Sequence, residues 1–221
     1  GMVLGEKRLF RYLQAFGFGQ RTEIDLPGEA SGLLKSPKAW GRRSLASISM
    51  GQEVGVTSLQ MVTAIAAIAN NGVLMKPYVV SKVRDQKGQI LKEALPHVKR
   101  RVISPDTARA LATILEGVVN NGTGMKAAIP GFRVAGKTGT AQKIDSRTGT
   151  YSATQFVGSF VGFVPAEAPR LAMIVVIDDP QGEAWGGTVA APAFRRVGEQ
   201  VLTYLGVSRD DQVKVAMAGR N

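Results

Sequence analysis

Residues 57–72 constrain the fold more than any other part of the sequence. The segment opens on Thr57 and has Gln60 three residues later, which is the spacing of a capping box at a helix N-terminus. It closes on Asn71 and Gly72, a pair typical of helix ends. Its apolar residues fall on every face of a helix rather than on one stripe. We therefore expect a helix that is buried among other elements of a folded domain and is too short to span a membrane.

The composition allows such a domain. The chain has 221 residues, of which 44% are hydrophobic, so it can bury a core as one domain or a large part of one. Cysteine is absent and His97 is the only histidine, so neither a disulfide framework nor a metal site is expected. A formal charge of +11 favours an anionic partner such as nucleic acid, lipid headgroups or an acidic polymer.

Three further helices are predicted. Apolar residues recur at helical spacing over residues 7–16, and a Ser-Pro start followed by an apolar stripe predicts a helix within 104–122. Pro192 opens a last helix that ends near residue 205. Residues 21–43 are rich in Gly, Pro and Ser without periodicity, which indicates a loop with at most short elements.

The strand signals lie mostly in the second half of the chain. Residues 132–142, 156–164 and 171–178 are strand-like, and a tight connection over 165–170 makes the last two neighbours in an antiparallel sheet. An earlier hairpin is predicted within 78–102, with its turn at 85–88. The expected fold class is α/β in the α+β sense, an antiparallel sheet flanked by helices.

The strand at 132–142 carries the residues suited to chemistry. Lys137, Thr138, Gly139 and Thr140 follow one another, so an ammonium group and two hydroxyls lie beside a residue without a side chain. The ammonium supplies charge, the hydroxyls donate hydrogen bonds, and glycine allows a ligand backbone to approach. The run is suited to bind a carboxylate. The alternative is a solvent-facing strand with an exposed lysine, because such short runs also arise by chance.

The run and its flanks resemble a known family. Lys-Thr-Gly-Thr at 137–140 is similar to the third signature of the serine penicillin-binding proteins and β-lactamases. Segments 16–34, 49–72 and 129–143 resemble the division-specific class B penicillin-binding proteins, the penicillin-binding protein 3 type. The resemblance extends from about residue 9 to about residue 205. The Gly-Gln-x-x-x-x-Thr-x-Leu-Gln helix entry at 51–60 is not expected in a β-lactamase.

The resemblance implies a fold, an activity and a location. Residues 1–206 would form the C-terminal part of a transpeptidase domain of the penicillin-recognising fold, followed by a polar tail at 207–221. The parent would be a peptidoglycan D,D-transpeptidase of septal wall synthesis that cross-links stem peptides through an acyl-serine, needs no cofactor and is inhibited by β-lactam antibiotics. It would be periplasmic, anchored in the bacterial inner membrane by a segment outside these residues, with divisome membrane proteins as partners and no nucleic acid.

The resemblance also assigns roles within the Lys-Thr-Gly-Thr run. Lys137 would supply positive potential and join a proton relay. The backbone N–H of Thr140 would form half of an oxyanion hole. The hydroxyls of Thr138 and Thr140 would bind the carboxylate of the stem peptide or of a β-lactam, and Gly139 would permit their close approach.

Three residues outside the run complete the predicted site. Phe156 and Trp185 match positions that form an apolar wall over the substrate in relatives, and Gln142 would line the same cleft. Ordinary core packing is an equal alternative for Phe156. Trp185 lies between flexible glycines and is expected to be exposed and functional.

One departure from the family pattern limits what these residues alone can do. No serine is followed three positions later by lysine, and no Ser-x-Asn occurs. The family carries both signatures upstream of the segment similar to residues 7–19, so we expect a polypeptide of these 221 residues to be inactive by itself. Two alternatives stay open, which are a non-catalytic scaffold module of the divisome and, from the charge alone, a nucleic-acid binder.

The resemblance also bears on association. Two strands that the family supplies from upstream pair with the strand matching residues 171–178. Without them this strand would have an open edge. We therefore expect self-association through that edge, or an edge that is covered in an unusual way.

Overall fold

The computed structural model describes residues 1–209, which divide into two compact units at residue 105. Most of the tail predicted at 207–221 lies outside the described residues. Among the helices within 1–209, none combines the length and the apolar character needed to cross a bilayer. The helix-flanked antiparallel fold expected from the sequence is confirmed.

The first unit holds three helices ahead of two small ribbons. The helices are α1 (Glu6–Ala15), α2 (Ser44–Ser49) and α3 (Ser58–Ala69). Residues 21–43 form the predicted loop, whose one regular element is a 3-10 turn at Pro37–Ala39. The short helix α2 was not predicted, because six residues are too few to show helical periodicity.

Helix α3 begins and ends as the sequence predicts. The hydroxyl oxygen of Thr57 accepts from the Gln60 amide at 3.1 Å, and the Gln60 side chain accepts from the Thr57 amide at 3.0 Å. After the helix, Asn71 and Gly72 adopt left-handed backbone with φ of 52° and 81°. A Cβ at Gly72 would lie 2.2 Å from the Ile103 carbonyl oxygen, so only glycine fits there.

The buried side chain of Gln60 ties α3 to the preceding loop. Its Nε2 donates to the carbonyl oxygens of Gln20 and Ser31 at 2.7 and 2.8 Å. The helix is only partly enclosed by its own unit, since Ala64, Ile65 and Ala67 are buried with Gln60 while its other apolar side chains are half-buried.

Two antiparallel ribbons follow α3. Strand β1 (Val73–Lys76) pairs with β4 (His97–Arg101), and β2 (Lys82–Arg84) pairs with β3 (Ile90–Glu93). The turn predicted at 85–88 is confirmed, because the Asp85 carboxylate accepts from the amides of residues 87 and 89 at 2.9 Å. The pairing of β1 with β4 was not foreseen, since three of the five residues of β4 are cationic and show no apolar alternation.

The second unit is a sheet with helices on one face. Its elements are α4 (Pro105–Asn121), β5 (Ala135–Ile144), β6 (Tyr151–Val164), β7 (Leu171–Asp178), α5 (Gly186–Val189) and α6 (Ala191–Tyr204). The sheet order β5, β6, β7 is antiparallel throughout, as predicted.

Two strand boundaries differ from the prediction. Strand β5 begins three residues later than predicted, because residues before it turn back in an isolated bridge between Ile129 and Phe132. Strand β6 begins five residues earlier, at Tyr151, and extends the hairpin with β5 beyond the sheet. This extension is mostly exposed and polar, so it lacks the apolar alternation that marks a strand.

The core of the second unit determines the face of the sheet on which the side chains of Thr138 and Thr140 lie. Phe160 of β6 and Phe194 of α6 are fully buried, with ring centroids 4.7 Å apart. Phe160 lies directly opposite Thr138 in the sheet, and opposite residues share a face. The side chains of Thr138 and Thr140 therefore emerge on the helix-covered face, where the core reaches the outer edge of β5.

Candidate active site

The Lys-Thr-Gly-Thr run lies on an edge strand. Lys137 is paired with Val161 and Thr140 with Gly158, so the run sits in the middle of the β5–β6 ladder. Within residues 1–209, β5 has no sheet partner on its other edge. An edge of this kind can accept an extended peptide by main-chain hydrogen bonding, with side chains on either side reading the ligand.

A short polar chain connects three side chains at this edge. The Lys137 ammonium donates to the Thr138 hydroxyl at 3.2 Å and to the Thr138 carbonyl at 2.9 Å. The Thr138 hydroxyl also shares a 2.7 Å hydrogen bond with the hydroxyl of Thr123, in the turn after α4. The cation is thereby held close to the two hydroxyls, an arrangement suited to orient a carboxylate.

A hydrogen bond to Thr140 holds helix α5 against β5. The Thr140 hydroxyl accepts from the Gly186 amide at 3.1 Å. A Cβ at Gly186 would lie 2.2 Å from the Ser159 carbonyl oxygen and 2.3 Å from that of Gly139. Gly186 therefore packs directly on the sheet as the first residue of a helix, next to the exposed Trp185.

The run opens into a cavity of about 500 Å³. Lys137, Thr138 and Thr140 line one side, and the residues around Gly186 line another. The lining includes two lysines, Lys126 and Lys137, and no carboxylate, so the cavity carries positive potential. Trp185 also lines it with 69% of its surface exposed, where the indole can cover a ligand.

Three predicted site residues are not among the cavity lining. A Cβ at Gly139 would lie 2.4 Å from the Ser159 hydroxyl oxygen, so the Ser159 side chain would have to rotate to admit a larger residue. Gln142 is exposed and donates to the Ser152 carbonyl at 3.0 Å. Phe156 lies opposite Gln142 and is half-buried, beyond the end of the cavity.

Among the lining residues that sequence reasoning missed are a threonine and a lysine from the turn after α4. Thr123 and Lys126 lie between α4 and β5, Lys126 within a 3-10 turn at Met125–Ala127. In the sequence this stretch follows Asn-Asn-Gly and indicates only the end of a helix. A threonine and a lysine in a turn carry no functional signal until the fold brings them against β5.

Replacing Gly186 by alanine is expected to destabilise the protein by about 3 kcal/mol, the upper range for overpacking, because the new methyl meets two rigid carbonyl oxygens. Urea unfolding measures this. Gly117 in α4 is the matched control, since a Cβ there meets nothing within 4 Å. Gly117→Ala is expected to be neutral or stabilising by up to about 1 kcal/mol. Equal stability of Gly186→Ala and the parent chain would contradict the close packing of α5 on β5.

The three-stranded antiparallel sheet, the edge Lys-Thr-Gly-Thr run and the cationic cavity agree with the penicillin-recognising fold that the sequence resemblance implies. The family model of the penicillin binding protein transpeptidase domain matches residues 3–199. The chain belongs to that family.

Individual relatives agree with this assignment. Stage V sporulation protein D of Bacillus subtilis is 41% identical over 217 residues, which are 97% of this chain and 33% of that protein. Peptidoglycan D,D-transpeptidase FtsI of Escherichia coli is 35% identical over 88% of this chain and 31% of its own length. The crystal structure of penicillin-binding protein 3 from Mycobacterium tuberculosis complexed with aztreonam has a TM-score of 0.87 at 33% identity, covering 94% of this chain and 48% of that one. The chain thus spans about a third of the length of these two curated relatives.

Proposed function

We propose that this chain is the C-terminal part of a peptidoglycan D,D-transpeptidase that cross-links stem peptides through an acyl-serine and is acylated by β-lactams. Residues 1–206 belong to the transpeptidase domain in this proposal. The serine and its lysine partner come from a part of the protein outside these 221 residues, because no Ser-x-x-Lys occurs within them. The parent acts in septal wall synthesis in the periplasm, anchored in the inner membrane beside divisome proteins.

The arrangement of the edge strand carries the proposal. Lys137 and the hydroxyls of Thr138 and Thr140 line one cationic cavity along the unpaired edge of β5. A stem peptide ends in a carboxylate, and a penicillin carries one, so both match the charge of this cavity. The extended backbone of the peptide can lie along β5 while its carboxylate meets the two hydroxyls.

Each residue of the run has a distinct role. Lys137 supplies positive potential and takes part in proton transfer with the signature serine of the missing segment. The Thr140 amide donates to the oxyanion that forms at the attacked carbonyl. The hydrogen bond to Thr123 orients the Thr138 hydroxyl for the carboxylate. Gly139, which has no side chain, leaves space for the Ser159 hydroxyl of the neighbouring strand.

The residues outside the run shape the cleft. Trp185 covers the bound ligand from the rim of the cavity. Gln142 and Phe156 lie further along β5 and β6, where they contact the part of the substrate that extends beyond the cavity. For a polypeptide of these 221 residues alone, pairing of a second copy along β7, which is an edge of the sheet within residues 1–209, is a further part of the proposal.

The names of relatives support this assignment. The Escherichia coli relative is named a peptidoglycan D,D-transpeptidase. Penicillin-binding protein 3 of Mycobacterium tuberculosis has been crystallised in complex with aztreonam and with ampicillin. Both compounds are β-lactams, which acylate the serine of such enzymes in place of the peptide.

Thr140→Val is expected to slow acylation of the full-length gene product by a fluorescent penicillin about tenfold. Valine keeps the shape but removes the hydroxyl, and a hydrogen bond to a charged group is worth about 1.5–3 kcal/mol. The rate of label incorporation measures the effect. Thr113→Val is the matched control, because Thr113 is exposed on α4 and its hydroxyl donates only to the Arg109 carbonyl.

Two outcomes would count against the proposal. One is an equal acylation rate for Thr140→Val and Thr113→Val, which would contradict a role of Thr140 in binding the carboxylate. The other is a full-length protein that no penicillin labels, which removes the transpeptidase assignment itself. Urea unfolding of Thr140→Val measures how much stability is lost with the hydrogen bond from the Gly186 amide, so that this loss can be separated from the effect on acylation.

A further inference from the structure

The first unit contains a concave surface of its own, separate in sequence from the candidate active site. It lies between the β1–β4 ribbon and the β2–β3 ribbon and has a volume of about 510 Å³. We call it the ribbon pocket. Its lining includes Asp25, Lys76, Tyr78, Val80, Lys92 and Leu95. None of the roles proposed above uses these residues.

Apolar side chains of the ribbon pocket are exposed to solvent. Leu95 has 73% of its surface exposed, Val80 44% and Tyr78 42%. Val83 of β2, which also lines the pocket, is 41% exposed. Single exposed apolar residues are ordinary, but a group of them around one concave surface is typical of an interaction site.

The ribbons concentrate the positive charge of the chain. Residues 76–101 contain eight lysines and arginines against two carboxylates, a formal +6 out of the +11 of the whole sequence. Lys76 and Lys92 line the pocket, and the ammonium group of neither makes a hydrogen bond or an ion pair with a residue within 1–209, although Lys76 is close enough to Glu23, and Lys92 to Asp25, for their charges to interact. These two ammonium groups are therefore available to carboxylates of a ligand.

The carboxylates of the pocket are already engaged. Asp25 accepts from the amides of Val80 and Val79 at 2.9 and 2.8 Å, and these hydrogen bonds hold the pKa of its carboxyl below the ordinary value of 3.8. Glu23 pairs with Lys99 at 3.1 Å. The Asp25 contacts also fix the chain that enters β2, so one wall of the pocket is preformed and little order has to be gained on binding.

Strand β2 presents an edge to the pocket. Lys82 and Val83 of β2 have side chains on opposite faces of the strand, yet both line the pocket, as do residues 80 and 81 just before the strand. The pocket therefore reaches the edge of β2 as well as one of its faces. Within the described part of the chain β2 pairs with β3 alone, so its other edge is open to a further strand.

We propose that the ribbon pocket is a docking site for an extended segment of a partner protein in which apolar residues alternate with acidic ones. The segment adds as a strand to the open edge of β2. Its apolar side chains contact Tyr78, Val80 and Leu95, and its carboxylates pair with Lys76 and Lys92. The concave shape favours a polypeptide over a lipid surface, because a bilayer is contacted by protruding apolar side chains rather than by a pocket.

Fluorescence anisotropy of the 221-residue chain tests the proposal, with a fluorescein-labelled peptide of alternating glutamate and valine as the probe. We expect saturable binding with a Kd on the order of 10–100 µM that weakens as salt is raised. Leu95→Ser should weaken it about tenfold by removing apolar contact, and Lys92→Glu about fivefold or more by reversing a charge. Both side chains are exposed, so neither change threatens folding.

Matched controls separate the pocket from general charge effects. Lys38→Glu makes the same charge reversal at an exposed site outside the pocket and should leave the affinity within about twofold. A lysine–valine peptide should not bind. Three results would overturn the proposal: no saturable binding of the glutamate–valine peptide below about 1 mM, equal weakening by Lys38→Glu and Lys92→Glu, or binding to phosphatidylglycerol vesicles with none to the peptide.

Discussion

Lys137→Ala is expected to slow acylation of the full-length gene product by a fluorescent penicillin about a hundredfold or more. Proton transfer by a positioned side chain contributes about 10²–10⁴ in rate, and a preorganised charge at a developing anion contributes on a similar scale. Lys137 can do both, because its ammonium group reaches the cavity and bonds the hydroxyl of Thr138 at 3.2 Å. Stopped-flow or quenched labelling at several penicillin concentrations separates the acylation rate from the initial binding.

Three companion variants assign the loss to a cause. Lys143→Ala removes a lysine six residues further along β5, where it pairs with Asp178 at 2.8 Å, and should leave the rate nearly unchanged. Lys126→Ala removes the second cation of the cavity and should cost less than Lys137→Ala, since it changes only the potential. Lys137→Arg keeps the charge but not a group able to release a proton, so a rate as low as that of alanine indicates proton transfer. A Lys137→Ala rate within about threefold of the unmodified protein would contradict a catalytic role.

The fold was predictable where a local signal decides it. The capping box of Thr57 and Gln60 and the left-handed Asn71-Gly72 end are properties of a few neighbouring residues, and both are confirmed. The pairing of β1 with β4 depends instead on contacts between distant segments of chain. Arg100 of β4 makes its side-chain hydrogen bonds to carbonyls at the end of α1, 85 residues earlier, and no local pattern encodes that.

The candidate site likewise combines a feature that is visible in a few neighbouring residues with features that depend on distant segments of the chain. The Lys-Thr-Gly-Thr run is contiguous, so the sequence alone indicated a carboxylate-binding strand. The partners that give the run its geometry come from two other places. Thr123 approaches Thr138 from the turn after α4, and Gly186 reaches Thr140 from the start of α5. The importance of Gly186 lies in the space that it leaves beside two backbone carbonyls, and such a close approach is visible only in three dimensions.

A polypeptide of only these 221 residues is expected to form no covalent adduct with penicillin. Acylation needs an activated nucleophile, and no serine here has a lysine three residues on. Two serines at the ends of α2 do not offer a substitute. Ser44 is buried and donates to the Glu53 carboxylate at 2.6 Å, and the Ser49 hydroxyl donates to the Leu45 carbonyl within α2. Ser44 therefore has a carboxylate partner, but it is buried where a penicillin carbonyl does not reach it, and the Ser49 hydroxyl is bonded to a backbone carbonyl rather than to a general base.

Intact-mass spectrometry after prolonged incubation with a penicillin measures this directly. We expect the unmodified mass alone, and at most weak reversible binding through Lys137, Thr138 and Thr140. Joining the upstream segment in the full-length protein should restore one adduct per chain, because the oxyanion hole then gains its second donor together with the nucleophile. A stoichiometric adduct on the 221-residue polypeptide would contradict this prediction. Peptide mapping would then identify the modified serine, and Ser47 and Ser49 would be the first to inspect.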